Sequence, residues 1–225
     1  ENHSLFDVKS DEIFYIINTR RIGAAPDYDC SRYGAELAEA CAAASTGISD
    51  IDVALRYTQQ GESIDFGFLG ALESDADFSE GRQFYALRGV KNGENFSVGY
   101  LGTLADRPFI DRTATVHSVD WLYRPSETVR LSAVGMRSDV IESIDDLDSS
   151  GHGVKIDVSL TPNRDRWHYI GGYYFDADLD ITDMGYQVVE NWAYVGNQNG
   201  IKSTDFSEDS PILATDLEFG FAVET

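Results

Sequence analysis

The chain has 225 residues and a formal charge of −22, with 39 acidic against 17 basic side chains, which excludes nucleic-acid binding through a basic patch. At 42% hydrophobic and 12% aromatic it is too apolar to stay disordered. A mean hydropathy of −0.28 and the lack of any apolar run of about 20 residues exclude a helical membrane span.

A barrel stays open to such a chain, because a membrane-crossing strand needs only about 9–11 residues with one apolar face. Surface carboxylates in this excess also suit a high-salt environment. Period-two alternation predicts strands at 13–21, 51–58, 63–72, 83–90, 95–104, 113–123, 128–137, 152–160, 166–175, 186–195 and 212–223. After the first comes a stretch of small and polar residues holding Cys30 and Cys41. With no CxxC and no histidine partner to suggest a metal, the pair predicts a local disulfide made in an oxidising compartment. The alternative is two unrelated thiols. Residues 33–44 are the one helix-like stretch. Further on, Ile51, Val53 and Leu55 alternate with Asp52, Ala54 and Arg56; Ile64, Phe66 and Phe68 with Asp65 and Gly67; and Val154, Ile156 and Val158 with Lys155 and Asp157. The segment 196–211 is ambiguous. No linker divides the chain, so 1–225 reads as one domain, a mature form or an excised piece without a signal peptide.

The connections at 59–62, 91–94, 124–127 and 161–165 are tight and carry Gly, Pro and Asn-Gly turn signals. Longer ones at 24–50, 73–82, 105–112, 138–151 and 176–185 alternate with them. In an antiparallel up-and-down meander, all short turns then fall at one end and all long loops at the other. Outer-membrane barrels have that asymmetry, with short periplasmic turns and long extracellular loops, whereas a Greek-key sandwich has no reason for it. The expected fold is therefore all-β, an antiparallel up-and-down transmembrane barrel with acidic outer loops. The eleven predicted strands are an odd number, and single-chain bacterial barrels have even ones. The chain is thus expected not to close a barrel alone.

Asp52, Arg56, Asp65, Arg88, Asp120, Arg130, Lys155 and Asp157 lie mid-strand between mostly apolar neighbours. In a barrel they point into the lumen, where the acids and bases can pair. Ile51, Val53, Leu55, Ile64, Phe66, Phe68, Val154, Ile156 and Val158 then face lipid. Phe14, Tyr15, Tyr123, Trp167, Tyr173, Tyr174 and Phe175 cluster near strand ends, as aromatic girdles do.

Two stretches carry a resemblance. Ile16-Ile17-Asn18-Thr19-Arg20-Arg21-Ile22-Gly23 resembles the "SRRIG" segment of an uncharacterised family of Gram-negative outer-membrane barrels, with Thr19 where that family usually has Ser. Leu179-Asp180-Ile181-Thr182-Asp183-Met184-Gly185-Tyr186 resembles its "FDINDMGF" segment. The intervening hairpins, including Val119-Asp120-Trp121, are similar in order and spacing. The resemblance implies an integral outer-membrane barrel that usually follows a domain like family 9 carbohydrate-binding modules, and hence a link to glycan handling. It marks Arg20, Arg21, Gly23, Asp180, Asp183 and Gly185 as motif residues and implies no catalytic residue. One of Arg20 and Arg21 is expected to neutralise inward carboxylates, the other to lie at the rim. The loop from Cys30 to Cys41 departs from the family pattern.

No nucleophile elbow, HExxH, Walker loop or zinc spacing occurs, and no enzyme is expected. The nearest candidate, His117 with Asp120, falls on opposite faces of a strand; His152 and His168 read as polar rim residues. Asp176, Asp178, Asp180 and Asp183 form the sharpest constellation, able to gather oxygen ligands around Ca²⁺ but without the Gly and distal Glu of an EF-hand. The plainer reading is a solvated acidic loop bridged to lipopolysaccharide by loosely held divalent ions, with no cofactor required. The function expected is a pore, an uptake component or a surface platform. Its partners are outer-membrane lipid and lipopolysaccharide, and another outer-membrane or periplasmic protein. The rival is a secreted, soluble, acidic β-sandwich that binds carbohydrate or another ligand.

Overall fold

The computed structural model describes residues 5–10, 13–45, 47–142, 147–163, 166–188, 192–201 and 214–222. Two short strands, β1 (Lys9–Ser10) and β2 (Phe14–Tyr15), precede a ten-residue helix, α1 (Ala35–Ala44). Then come β3 (Ile51–Gln60), β4 (Ile64–Glu73), β5 (Gln83–Asn92), β6 (Phe96–Arg107), β7 (Arg112–Ser126), β8 (Val129–Glu142), β9 (Leu147–Asn163) and β10 (Arg166–Phe175). The last are β11 (Tyr186–Gln187), β12 (Trp192–Ile201) and β13 (Ala214–Ala222). Ten strands make one antiparallel sheet, ordered β3-β4-β5-β6-β7-β8-β9-β10-β12-β13, each paired with its neighbour in this series. The sheet is open: β3 and β13 are its edges and are not bonded to each other among the described residues.

Alternation gives the sheet two unlike faces. On β4, Gly67, Leu69, Ala71 and Glu73 are buried or nearly so, while Ile64 and Phe66 are exposed. Register carries this parity across the sheet, because residues directly opposite share a face. One face is covered toward its long-loop end by the chain's own segments; the other is bare among the described residues. On the bare face stand Leu55 at 58% exposure, Ile64 at 61%, Val119 at 52% and Ile156 at 53%. Ile51 is a correction. A register shift between Ile51 and Val53 sets Ile51 opposite Glu73, on the covered face beside Gly23. The bulge's extra residue breaks the alternation that the sequence suggested.

Two predicted strands do not join the sheet as expected. Residues 13–21 form only β2 and then a 3₁₀ turn at Thr19–Arg21, capped by the Asn18 side chain on the Arg20 amide. Residues 186–195 divide between β11, which joins β2 in a three-stranded sheet, and β12. The main sheet therefore has ten strands rather than eleven. Part of the ambiguous segment belongs to β12; residues 202–211 lie outside the described residues. Two long loops also shrink, because β6 and β7 run to Arg107 and Arg112, and β8 and β9 run to Glu142 and back from Leu147. Cross-strand polar pairs such as Thr115 opposite Asp139 hold those charged residues on the ladder. From β3 to β10 the tightest connections still fall at one end of the sheet, but the twelve residues between β12 and β13 leave from that same end, where Ile201 stands opposite Arg166, and so break the sorting.

Candidate functional site

The covered face is lined at its long-loop end by small and apolar residues: Leu69 and Ala71 on β4, Phe84 and Ala86 on β5, Leu101 and Ala105 on β6, Val116 on β7 and Met136 on β8. A cap of two chain segments, residues 5–10 with 13–24 and residues 176–188, packs on them. Phe6, Val8, Phe14 and Ile16 come from the first segment; Leu179, Ile181 and Met184 from the second, with Phe175 at its root. Phe14 and Phe175 are fully buried and meet edge to face at 5.9 Å between centroids. They belong to this core and to no girdle, because β10 aims Phe175 at the covered face. Burying each such side chain stabilises the fold by about 1.5–3 kcal/mol.

The two motif stretches, more than 160 residues apart, are thereby one unit. Tyr15 pairs with Tyr186 and Phe14 with Gln187. The Asn18 amide donates to the Met184 carbonyl at 2.7 Å, and Arg21 Nε donates to the Gly185 carbonyl at 3.3 Å. Among the described residues, Arg21 Nε serves a backbone oxygen and Arg20 lies exposed beside Asn18, and neither meets an inward carboxylate. Gly23 takes a left-handed φ of 74° and its amide donates to Glu73 Oε1 at 2.7 Å.

Buried ion pairs fasten the cap. Glu73, 1% exposed, holds Arg82 through two hydrogen bonds of 2.6 and 3.0 Å. Arg82 also donates to the carbonyls of Ala24 and Ala25. Asp183, 4% exposed, sits between Arg107 and Arg112. Arg107 reaches Asp27, and Arg112 reaches Asp180 and Glu142. Burial works to raise the Asp183 carboxyl, but hydrogen bonds and charge from Arg112 and Arg107 outweigh it and hold it below the ordinary value of 3.8.

The four predicted calcium ligands do not converge. Asp183 and Asp180 are taken by guanidinium groups. Asp176 accepts from the His152 amide and lies 2.6 Å from its ring nitrogen, and Asp178 is exposed. No group of three metal-binding side chains occurs among the described residues. Cys30 and Cys41 are bonded, as expected, and tie α1 to the preceding 3₁₀ turn at Cys30–Arg32.

Toward the short turns the covered face turns polar. Arg88 and Asp120 form a bidentate pair, and Arg88 Nε also donates to the Leu5 carbonyl. Asp65 accepts from Asn92, and Arg56 lies over the Phe6 ring at 5.7 Å. Asp52, in the bulge, accepts from Ser74. Lys155 and Tyr169 both bond Asp157. With Arg130, Ser132 and Ser159 they line a cavity of about 330 Å³. It adjoins a larger one of about 690 Å³ at the short-turn end, which shares Arg130 and Ser159. His117 and Asp120 stand on opposite faces, as their spacing required.

Glu73, Arg82, Arg107 and Arg112 were not singled out from the sequence. The available signal was an acid and a base flanking one connection, and two arginines flanking Pro108 at the next. No family model, curated protein or solved structure matches the chain.

Proposed function

We propose that the ten-stranded sheet is wall of a β-barrel in the outer membrane of a Gram-negative bacterium. Its bare face meets lipid, its short turns face the periplasm and its capped end faces outward. The observation that carries this reading is the split between faces. Exposed aliphatic and aromatic side chains run along β3 to β10 on one side, while Asp65, Arg88, Asp120, Arg130, Lys155 and Asp157 share the other. In water an apolar surface of this extent would be a liability; in lipid it is the face that barrels present.

The cap favours some of the expected roles over others. A wall whose outer inner-face is filled by a close-packed core and buried ion pairs supports a closed uptake component or a surface platform over a passive pore. Reconstitution tests both statements. The protein should need detergent to stay monodisperse, should insert into phospholipid vesicles, and should give little steady conductance in a planar bilayer. Stable monodispersity in plain buffer would point to the soluble binding module and overturn the reading.

A further inference from the structure

On the bare face of the sheet, β4 to β10 carry apolar or small residues at nearly every position between the two rims. At one level three basic side chains interrupt them. Register sets His117 on β7 opposite Arg137 on β8, and Arg137 opposite His152 on β9. Directly opposite residues stand about 5 Å apart, so the three form a continuous row. Toward the short turns the next outward residues are Val119, Gly135 and Val154. From Leu160 to His152 the strand rises about 26 Å, or about 20 Å along the membrane normal at the usual tilt near 40°, close to the height of an apolar band. The row therefore falls where the apolar band ends on the long-loop side.

The side chains are held for binding outward. Arg137 is 63% exposed; its Nε and Nη2 are fixed by Asp139, the latter at 2.7 Å, and its Nη1 makes no hydrogen bond among the described residues. Tyr100 hydroxyl and His117 Nδ1 are 2.7 Å apart. With that hydroxyl donating, the proton of a neutral His117 ring sits on Nε2. His152, 70% exposed, has Nδ1 2.6 Å from Asp176, a contact that fixes the orientation of its ring beside Arg137. Tyr174 lies against the His152 ring at 6.0 Å. In a chain of net charge −22, this is a local concentration of donors at the edge of an apolar wall.

We propose that His117, Arg137 and His152 bind the phosphate of a lipid headgroup in the leaflet on the long-loop side. The site rests on the membrane reading above. Arg137 supplies the charge, the His117 ring adds an N–H donor on one flank, the His152 ring closes the other flank, and Val119 and Val154 pack against the acyl chains below. Asp139 orients Arg137 and opposes the anion, so it limits the affinity.

The test uses the whole protein in phosphatidylcholine nanodiscs containing either bisphosphorylated lipid A or the same lipid with its phosphates removed. Native mass spectrometry counts the lipid A retained. The wild type should prefer the phosphorylated form, and Arg137→Gln should bind it about tenfold more weakly. Arg137→Lys should keep most of the preference, and Asp139→Asn should strengthen it, an outcome that a merely structural role would not produce. Equal retention of both lipids by the wild type, or equal binding by wild type and Arg137→Gln, overturns the proposal while leaving the barrel intact. Failure of the wild type to enter nanodiscs at all overturns both.

Discussion

Gly185 sits where no larger residue fits: a Cβ there would lie 2.3 Å from the Tyr15 carbonyl oxygen and 2.6 Å from that of Ile181. Gly185→Ala must push β2 away from the 176–188 segment. It should cost about 1–3 kcal/mol, read as a lower denaturation midpoint with lost exchange protection at the Asn18 amide. The Glu73–Arg82 pair makes a stronger demand. Arg82→Met leaves a buried carboxylate without its partner and should destabilise by about 3–5 kcal/mol. The double change with Glu73→Leu should recover most of that loss. Asp183 gives the cap a pH limit. Its folded pKa is depressed below 3.8, so its contribution is whole above that value and fades as pH falls through the folded one. Exchange protection across 176–188 should therefore hold at pH 5 and decline below about pH 4.

At the level of elements, the helix α1 and its disulfide form a satellite of the sheet. Most of the helix surface is exposed, with Cys41 its one buried residue. Closing a loop of this length is worth about 3 kcal/mol through the unfolded state. Reduction should therefore make 25–50 sensitive to protease while the β-sheet circular dichroism stays unchanged. Simultaneous loss of sheet signal would mean that the helix braces the wall. The elements differ in how readable they were. β3 to β6 show clean alternation and were placed to within a few residues. β2 and β11 lie inside predicted strands, but their two-residue length and their pairing with each other were not legible, because so short a strand has no period and the partner lies some 170 positions away.

For the whole molecule, the contrast between faces is the quantity to perturb. Ile156→Arg puts a charge on the bare face and should lower stability in lipid by about 2–4 kcal/mol. Ser132→Arg makes the same change in the polar cavity of the covered face and should cost far less. Urea titration of vesicle-inserted protein compares them directly; equal penalties would argue that both faces meet water. The tight turns at one end of β3 to β10 are legible from Gly, Pro and Asn-Gly signals, whereas the long connection from β12 to β13 at that same end is not.

What the sequence determined by itself was local and periodic. Alternation such as Ile64-Asp65-Phe66-Gly67 assigns strands and their two faces, because the side-chain period of a strand is two and needs no partner to be read. Two close cysteines in one loop announced their bond for the same reason of proximity. Only the tertiary structure decided what packs on the covered face. The cap joins Phe14 to Phe175, Arg21 to Gly185 and Arg107 to Asp183, contacts between segments that share no local pattern. Chain order cannot reveal which carboxylate an arginine will meet. That depends on which strand ends the fold brings together, and burial then turns ordinary charged residues into fasteners of the cap.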